Sequence, residues 1–543
     1  MVFARRSTTL LAAIIASCAM VLSLTACTSD NKTVVDGQTT VTSNSAGGVA
    51  VFTPSDGITL NQQMPLNKWA KLVPDLTKAL VDAGFKKGDI NHTTSDSLDK
   101  QSRAIQDFVV DHLSNNTTDD SGIAIAPDNM TLLVAPVVEA DASTRQYGDY
   151  VSQNLSTNDV TDEGATSDGE SSEDDSSKDD SSNTESDSTA SDEQAQAVDR
   201  LVSSLKLAKE SGMHVVLLGN SIEGYKPDAF VKFSDAQTIG KLQAEKMVSK
   251  LKLDKASKDN PKYIEVLLPY TAMDEKGNAN DSTFAQEAFR GIWQVLGSYY
   301  QKGVVESPSG TLDGKSTEND WQAVAYDAAK EGSTAKVLDK RLAKTDGQST
   351  LTRIDGIITM NDYIASEVVK ELDDLGYTGS AADINPQITI SGIVGNITGK
   401  KDLSRDAVPD PIKSPENDNA NDSSSSDDDV DEDTSASDKD RDSQWPLVTG
   451  YGAYVSNIPS IVNGKQWMTG MEDRQTIATD IAQACAKLNK DEALNSMPSI
   501  RSSEVGGVKK IPTISEPLLA VSASNLKSAL IDPGYISLAD AGL

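Results

Sequence analysis

The chain has 543 residues, 37% of them hydrophobic but only 5% aromatic, and a formal net charge of −33. Residues 151–193 hold 14 acids against one lysine and residues 414–443 hold 12 acids against two bases, so these stretches carry −13 and −10 and the rest of the chain only −10. An acidic surface repels a polyanion and no basic stripe interleaved with aromatics occurs, which argues against a nucleic-acid partner, while the length allows two or three domains.

Residues 1–26 combine Arg5-Arg6, an apolar run from Leu10 to Leu24 and small residues before Cys27, the pattern of a secretory signal peptide. The ending Leu24-Thr-Ala-Cys27 resembles a bacterial lipobox, which implies cleavage before Cys27, lipidation of its thiol and attachment to the outer face of the cell membrane. Cys485 is then the sole mature thiol, and its spacing with Ile477, Ile481 and Leu488 places it on a buried helical face. Residues 27–47 lack periodicity and read as a tether that, as a flexible coil, spans on the order of 25 Å.

Strand and helix patterns then alternate. Val49–Phe52 reads as a strand, Trp69–Phe85 as a helix with Pro74 kinking or delaying it, Ala104–Leu113 as a helix, Gly122–Pro127 as a strand and Leu132–Ala140 as a helix. The acidic stretch 151–193 is a low-complexity tract that buries too little apolar surface to offset chain entropy, and a helix resumes near Ala195. Val215–Leu218 is a short apolar run ending in Gly219, as suits a strand covered on both faces, and Ala229–Phe233 is another. From Ile239 the spacing of Leu242, Met247, Val248 and Leu251 turns helical.

The alternation repeats downstream: strand Tyr263–Leu268, helix Thr283–Leu296, strand near Gly303–Val305, helix Trp321–Lys330, strand Gly356–Met360 and helix Tyr363–Leu375. Phe289, Trp293 and Leu296 share one helical face, which makes Trp293 a core residue. A second acidic insertion, 402–444, separates Ile388–Gly392 from Pro446. Such alternation predicts an α/β fold of two parallel-sheet lobes with helices on both faces, and ligands in such sheets bind beyond the carboxyl ends of the strands.

Asp228-Ala-Phe-Val-Lys-Phe-Ser-Asp235 followed by Ile239-Gly-Lys-Leu-Gln-Ala-Glu245 resembles the first lobe-to-lobe crossing of the type I periplasmic sugar-binding proteins, the xylose-binding branch of ABC-transporter receptors in particular. Leu66-Asn-Lys-Trp69, Asp320-Trp321, Asp355–Asp362, Val448–Ala453, Gly464–Thr469, Pro517–Lys527 and Asp532–Tyr535 follow in the same order as family segments. The resemblance implies two doubly wound lobes joined by a multi-crossing hinge: residues 48–234 plus 474–515, and 235–473 plus 516–543. It also implies capture of a monosaccharide-like molecule for an ABC permease, with no cofactor. A sensory or surface-interaction module of the same fold, with an altered site, is the alternative.

A polyol site needs fixed donors and acceptors and an aromatic face. Trp69 offers that face from the first lobe, or fills a core with Val73 and Leu76; Trp321 at a helix start is open in the same way. Asn361 and Asp362 end a strand, where they meet hydroxyls or cap the next helix. Arg290 either reaches the cleft or pairs with Glu287. The resemblance adds Asn220, Asp235, Asn280 and Tyr451. It also shows departures: Gly219-Asn220 replaces an Asp-Arg pair, Ser234-Asp235 an Asp-Asn, Tyr451-Gly452 a Gln-Asp, and Glu472 a Lys. Losing the Arg and an Asp removes charge-assisted hydrogen bonds, so xylose does not follow from the family pattern.

Enzymatic readings lack parts. His92, His112 and His214 are the only histidines and share no metal-ligand or nucleophile spacing. Gly395–Lys400 is one residue short of a phosphate loop, and Gly450–Val455 lacks the third glycine of a dinucleotide fingerprint.

Overall fold

The structure is a computed structural model that describes residues 32–35, 38–41, 46–55, 65–115, 125–138, 145–150, 153–156, 185–273, 280–328, 330–343, 351–382 and 444–543. The signal segment, Cys27, Ile388–Gly392, Gly395–Lys400 and most of both acidic stretches lie outside the described residues. Two units separate, 1–45 and 46–543. In the first, Lys32–Val35 pairs antiparallel with Gln38–Val41, so strand pairing occurs within the stretch expected to be an unstructured tether.

In the second unit the elements run β1 (Gly48–Pro54), α1 (Trp69–Asp82), β2 (Ile90–Ser95), α2 (Leu98–Asn115), β3 (Met130–Val134), α3 (Glu185–Glu210), β4 (His214–Leu218) and β5 (Ala229–Lys232). They continue with α4 (Ala236–Leu251), β6 (Lys262–Val266), α5 (Thr283–Gln301), β7 (Val305–Glu306), α6 (Ser333–Arg341), β8 (Gly356–Ile358), α7 (Asp362–Leu375) and β9 (Leu447–Thr449). The last are β10 (Met468–Met471), α8 (Arg474–Leu488), β11 (Ile500–Val505), β12 (Val508–Ser515) and β13 (Leu519–Ser522).

The first sheet has the order β11-β12-β5-β4-β3-β1-β2, parallel throughout except for the β11–β12 hairpin. That hairpin turns through Gly506 and Gly507 at φ +55° and +77°, positive values that a two-residue hairpin turn matching the strand twist requires. Successive strand residues alternate between two cores. Val49, Val51, Leu133, Val216 and Val231 face α1 and α8, while Ala50, Phe52, Leu132, Val215 and Phe230 face α2 and α3. Cys485 is fully buried on the α8 side, and burial pushes its thiol pKa up. The second sheet is β7-β6-β8-β9, all parallel, inside a single large core.

Three expectations change. Met130–Val134 is a fully buried strand, where the sequence predicts a helix over 132–140; the apolar run is continuous because both faces of the strand are covered, and Pro136 follows it, while the strand expected over 122–127 lies partly outside the described residues. Trp321–Val324 makes one helical turn only, since Ala325 and Tyr326 pair with Leu268 and Pro269. Helix α3 begins at Glu185, inside the stretch assigned to the first insertion, and Ala197 within it is buried.

Helices α4 and α5 pack closely because each carries a glycine at the crossing. A Cβ on Gly240 would lie 2.2 Å from the Ala288 carbonyl oxygen, and one on Gly291 only 2.0 Å from that of Gln237. Gly291→Ala should therefore destabilise the protein by about 1–3 kcal/mol in chemical denaturation, although alanine is the better helix former in isolation.

Candidate functional site

The first sheet changes winding direction between β1 and β3, the second between β6 and β8, and in such sheets the crevice beyond the carboxyl ends at these points is where ligands settle. The loop leaving β1 reaches α1 through Leu66–Trp69, and the loop leaving β3 passes through Arg145–Tyr150. These two segments meet: Asp149 N donates to Asn67 O (2.8 Å), the Asp149 carboxylate accepts from Lys68 Nζ (2.7 Å) and Trp69 N (3.0 Å), and Tyr150 OH donates to Lys68 O (2.5 Å). Trp69 is buried in an aromatic triad, edge-on to Tyr150 at 5.0 Å and to Phe233 at 5.6 Å.

On the second lobe β8 is followed by Thr359 and Met360, and Met360 takes φ +68°, a left-handed conformation uncommon for a non-glycine residue. The bend delivers Asn361 and Asp362, both fully buried, to the start of α7. Asn361 Oδ1 caps the helix by accepting from Ile364 N (2.9 Å), and its amide donates to Gln146 Oε1 of the first-lobe loop (3.1 Å). Asp362 accepts from Gln466 Nε2 (2.7 Å), Thr469 Oγ1 (2.8 Å) and Tyr454 N (2.9 Å). Burial outweighs those donors and pushes its carboxyl pKa up to about 6. Asn361 thus serves the capping role and an inter-lobe contact together.

Tyr451, just beyond β9, reaches back to the first crossing between the lobes. Its hydroxyl lies 2.5 Å from Ser234 Oγ and 3.4 Å from Glu472 Oε1. Glu472 also accepts from Ser234 N (2.7 Å) and from Ser234 Oγ, and its own N–H donates to Asn67 Oδ1 (3.4 Å). Burial is the main cause that pushes the Glu472 carboxyl up to about 7, with Asp235 adding to the rise. The next residues continue the tie, since Arg474 pairs with Asp75 (2.6 Å) and donates to Leu66 O (3.1 Å).

The other candidates, Asp235 beside Ser234 excepted, lie apart from this cluster. Asn220 is buried, accepting from Gln153 N (3.0 Å) and donating to Pro136 O (2.9 Å). Asp235 caps α4 through Thr238 N (2.7 Å), pairs with Lys232 (2.9 Å) and borders a groove of about 290 Å³ with Asn154, Ser221 and Ser503. Asn280 clamps its own loop by donating to Thr271 O (2.8 Å). Trp321 packs edge-on against Tyr270 at 5.1 Å, and Tyr270 OH donates to Asn280 O (3.1 Å). Arg290 pairs with Glu287, the surface alternative of the two left open by the sequence.

Residues that sequence reasoning passed over are Gln146, Tyr147 and Tyr150. Tyr147 is only 1% exposed and joins the second-lobe core, 4.7 Å from Phe284 and 6.3 Å from Tyr451 between ring centres. The available signal was two tyrosines within Arg145-Gln-Tyr-Gly-Asp-Tyr150 in an aromatic-poor chain. Among the described residues no group of three or more His, Cys, Asp or Glu gathers as a metal site.

The acidity of Glu472 gives a stability test. Its pKa is raised on folding, so the stabilising neutral form is fully present below the unfolded value near 4.5 and is lost as pH rises through about 7. Glu472→Gln keeps an accepting oxygen for Ser234 without the charge. The two proteins should have equal stability at pH 4, and the variant should gain on the order of 3 kcal/mol by pH 8 in urea titrations.

No family model and no curated protein matches the chain. Among solved structures it is similar to an ABC transporter solute-binding protein from Clostridium phytofermentans with bound β-D-glucose, at 17% identity over 91% of this chain and 99% of that one, TM-score 0.44. It is also similar to a carbohydrate transporter solute-binding protein from Chloroflexus aurantiacus in complex with D-glucose (17% identity, 92% and 98% covered, TM-score 0.43). A third is a periplasmic ribose ABC transporter protein from Conexibacter woesei (12% identity, 90% and 96% covered, TM-score 0.43).

Proposed function

We propose that the chain is an extracytoplasmic substrate-binding protein, anchored through Cys27, that captures a small sugar-like molecule between its lobes and presents it to an ABC permease. The lobes are 48–234 plus 474–515 and 235–473 plus 516–543. The observation that carries this reading is the meeting of the two sheets' switch points: Trp69 and Asn67 follow β1, Asn361 and Asp362 follow β8, and both sets touch the same short segment, Arg145–Tyr150. Amides that donate and accept, beside aromatic rings, are what a neutral polyol requires. The order of the sequence segments resembling sugar receptors supports the same conclusion, and the reading calls for no catalytic group.

A second reading, a sensory or surface-interaction module with an altered site, is favoured by one observation: Asn361, Asp362 and Tyr451 already have protein partners. Thermal-shift screening with D-glucose, D-xylose, D-ribose and myo-inositol separates the two. Under the first reading one of these raises stability, by about 2.7 kcal/mol at a hundred times its Kd. Silence across the panel at high concentration favours the second.

Asn361→Ser sharpens the test. Serine retains a helix-capping oxygen but deletes the amide, so the fold should survive with a loss of no more than about 1 kcal/mol. Affinity for the stabilising ligand, measured by calorimetry, should fall roughly ten- to a hundred-fold.

A further inference from the structure

The position between the switch points is filled by the protein itself. Within six residues, Gln146 meets Asn361, Tyr147 enters the second-lobe core, Asp149 holds Lys68 and the first N–H of α1, and Tyr150 stacks into the Trp69–Phe233 triad. Tyr454 OH adds a bond from the second lobe to Gln146 O (2.7 Å). Gly148, at φ +96°, lets the segment pass, since a Cβ there would lie 2.5 Å from the Asn67 carbonyl oxygen.

From this we propose that Gln146–Tyr150 is an intramolecular strap that holds the lobes shut in the ligand-free protein by standing in for the ligand. The inference rests on the cleft reading above for the identity of the competitor, but not for the closure. Tyr147 supplies a six-membered ring with a hydroxyl, lying against Phe284 and Tyr451, and Gln146 supplies a neutral amide to Asn361. A single pyranose or cyclitol ring has the same size and the same pairing of C–H faces with polar edges. The strap side chains that enter the second lobe are uncharged. Among the described side chains near the strap, Lys68 is paired with Asp149 and Arg474 with Asp75. The displacing molecule is therefore a neutral monocyclic polyol rather than an anionic sugar.

A strap of this kind lowers apparent affinity by the fraction of molecules in which it is released. Gln146→Ala/Tyr147→Ala removes the second-lobe half and leaves Asp149 and Tyr150 seated on the first lobe. Small-angle scattering without ligand should show a compact wild type and a variant with a larger radius of gyration. In calorimetry with D-glucose or myo-inositol the variant should bind roughly tenfold or more tightly than the wild type. A folded variant as compact as the wild type would overturn the strap. An expanded variant, with neither protein binding any polyol, supports the strap and overturns the sugar-binding reading instead. If the double variant does not fold, the wild type still decides: Tyr147 should resist chymotrypsin in the folded, ligand-free protein, and rapid cleavage after it would refute the proposal.

Discussion

The Glu472 carboxyl ties the turn after β5 to the loop after β9, and the contacts around the candidate site are built on it. It binds Ser234, lies beside Tyr451 from the second lobe, and is followed at once by Arg474, which holds the loop before α1. Among the described residues no cation pairs with it, and burial favours the acid form well above the usual carboxylate range. A buried acid held only by hydroxyls and N–H groups costs stability when it ionises. Its contacts join three segments that are far apart in sequence, at Asn67, Ser234 and Tyr451.

Beside Glu472, loops that leave the carboxyl ends of the two parallel sheets come into contact. Each sheet obeys the same winding rule, so each leaves one crevice, and the loops from β1, β3 and β8 converge there. Polar groups buried at such a place need partners whether or not a ligand is present. Here the loop from β3 provides them, which accounts for Asn361 lying fully buried and still making hydrogen bonds through both ends of its amide.

Most of the architecture is legible in the sequence because burial on both faces leaves unbroken apolar runs, as at Val215–Leu218 and Gly356–Ile358. The same property misleads over 132–140, where the continuous run preceding Pro136 reads as a helix. Strand β2, Ile-Asn-His-Thr-Thr-Ser, carries almost no apolar signal because it forms the sheet edge and is largely exposed. In the site, Trp69, Asn361, Asp362 and Tyr451 are legible from their place after strands or from the family resemblance, although what each touches is not. Gln146 and Tyr147 escape because their partners are far along the chain and the segment has no periodicity to announce them. Arg290 and Asn280 illustrate the reverse, polar residues near helix α5 whose hydrogen bonds are spent locally.

A crystal structure of the protein with whichever neutral polyol stabilises it most is the most direct measurement of the central claim. The account predicts the ring between Trp69, Asn361 and Tyr451, with Gln146 and Tyr147 withdrawn from the second lobe. A polyol bound elsewhere, with Gln146 still on Asn361, would contradict it.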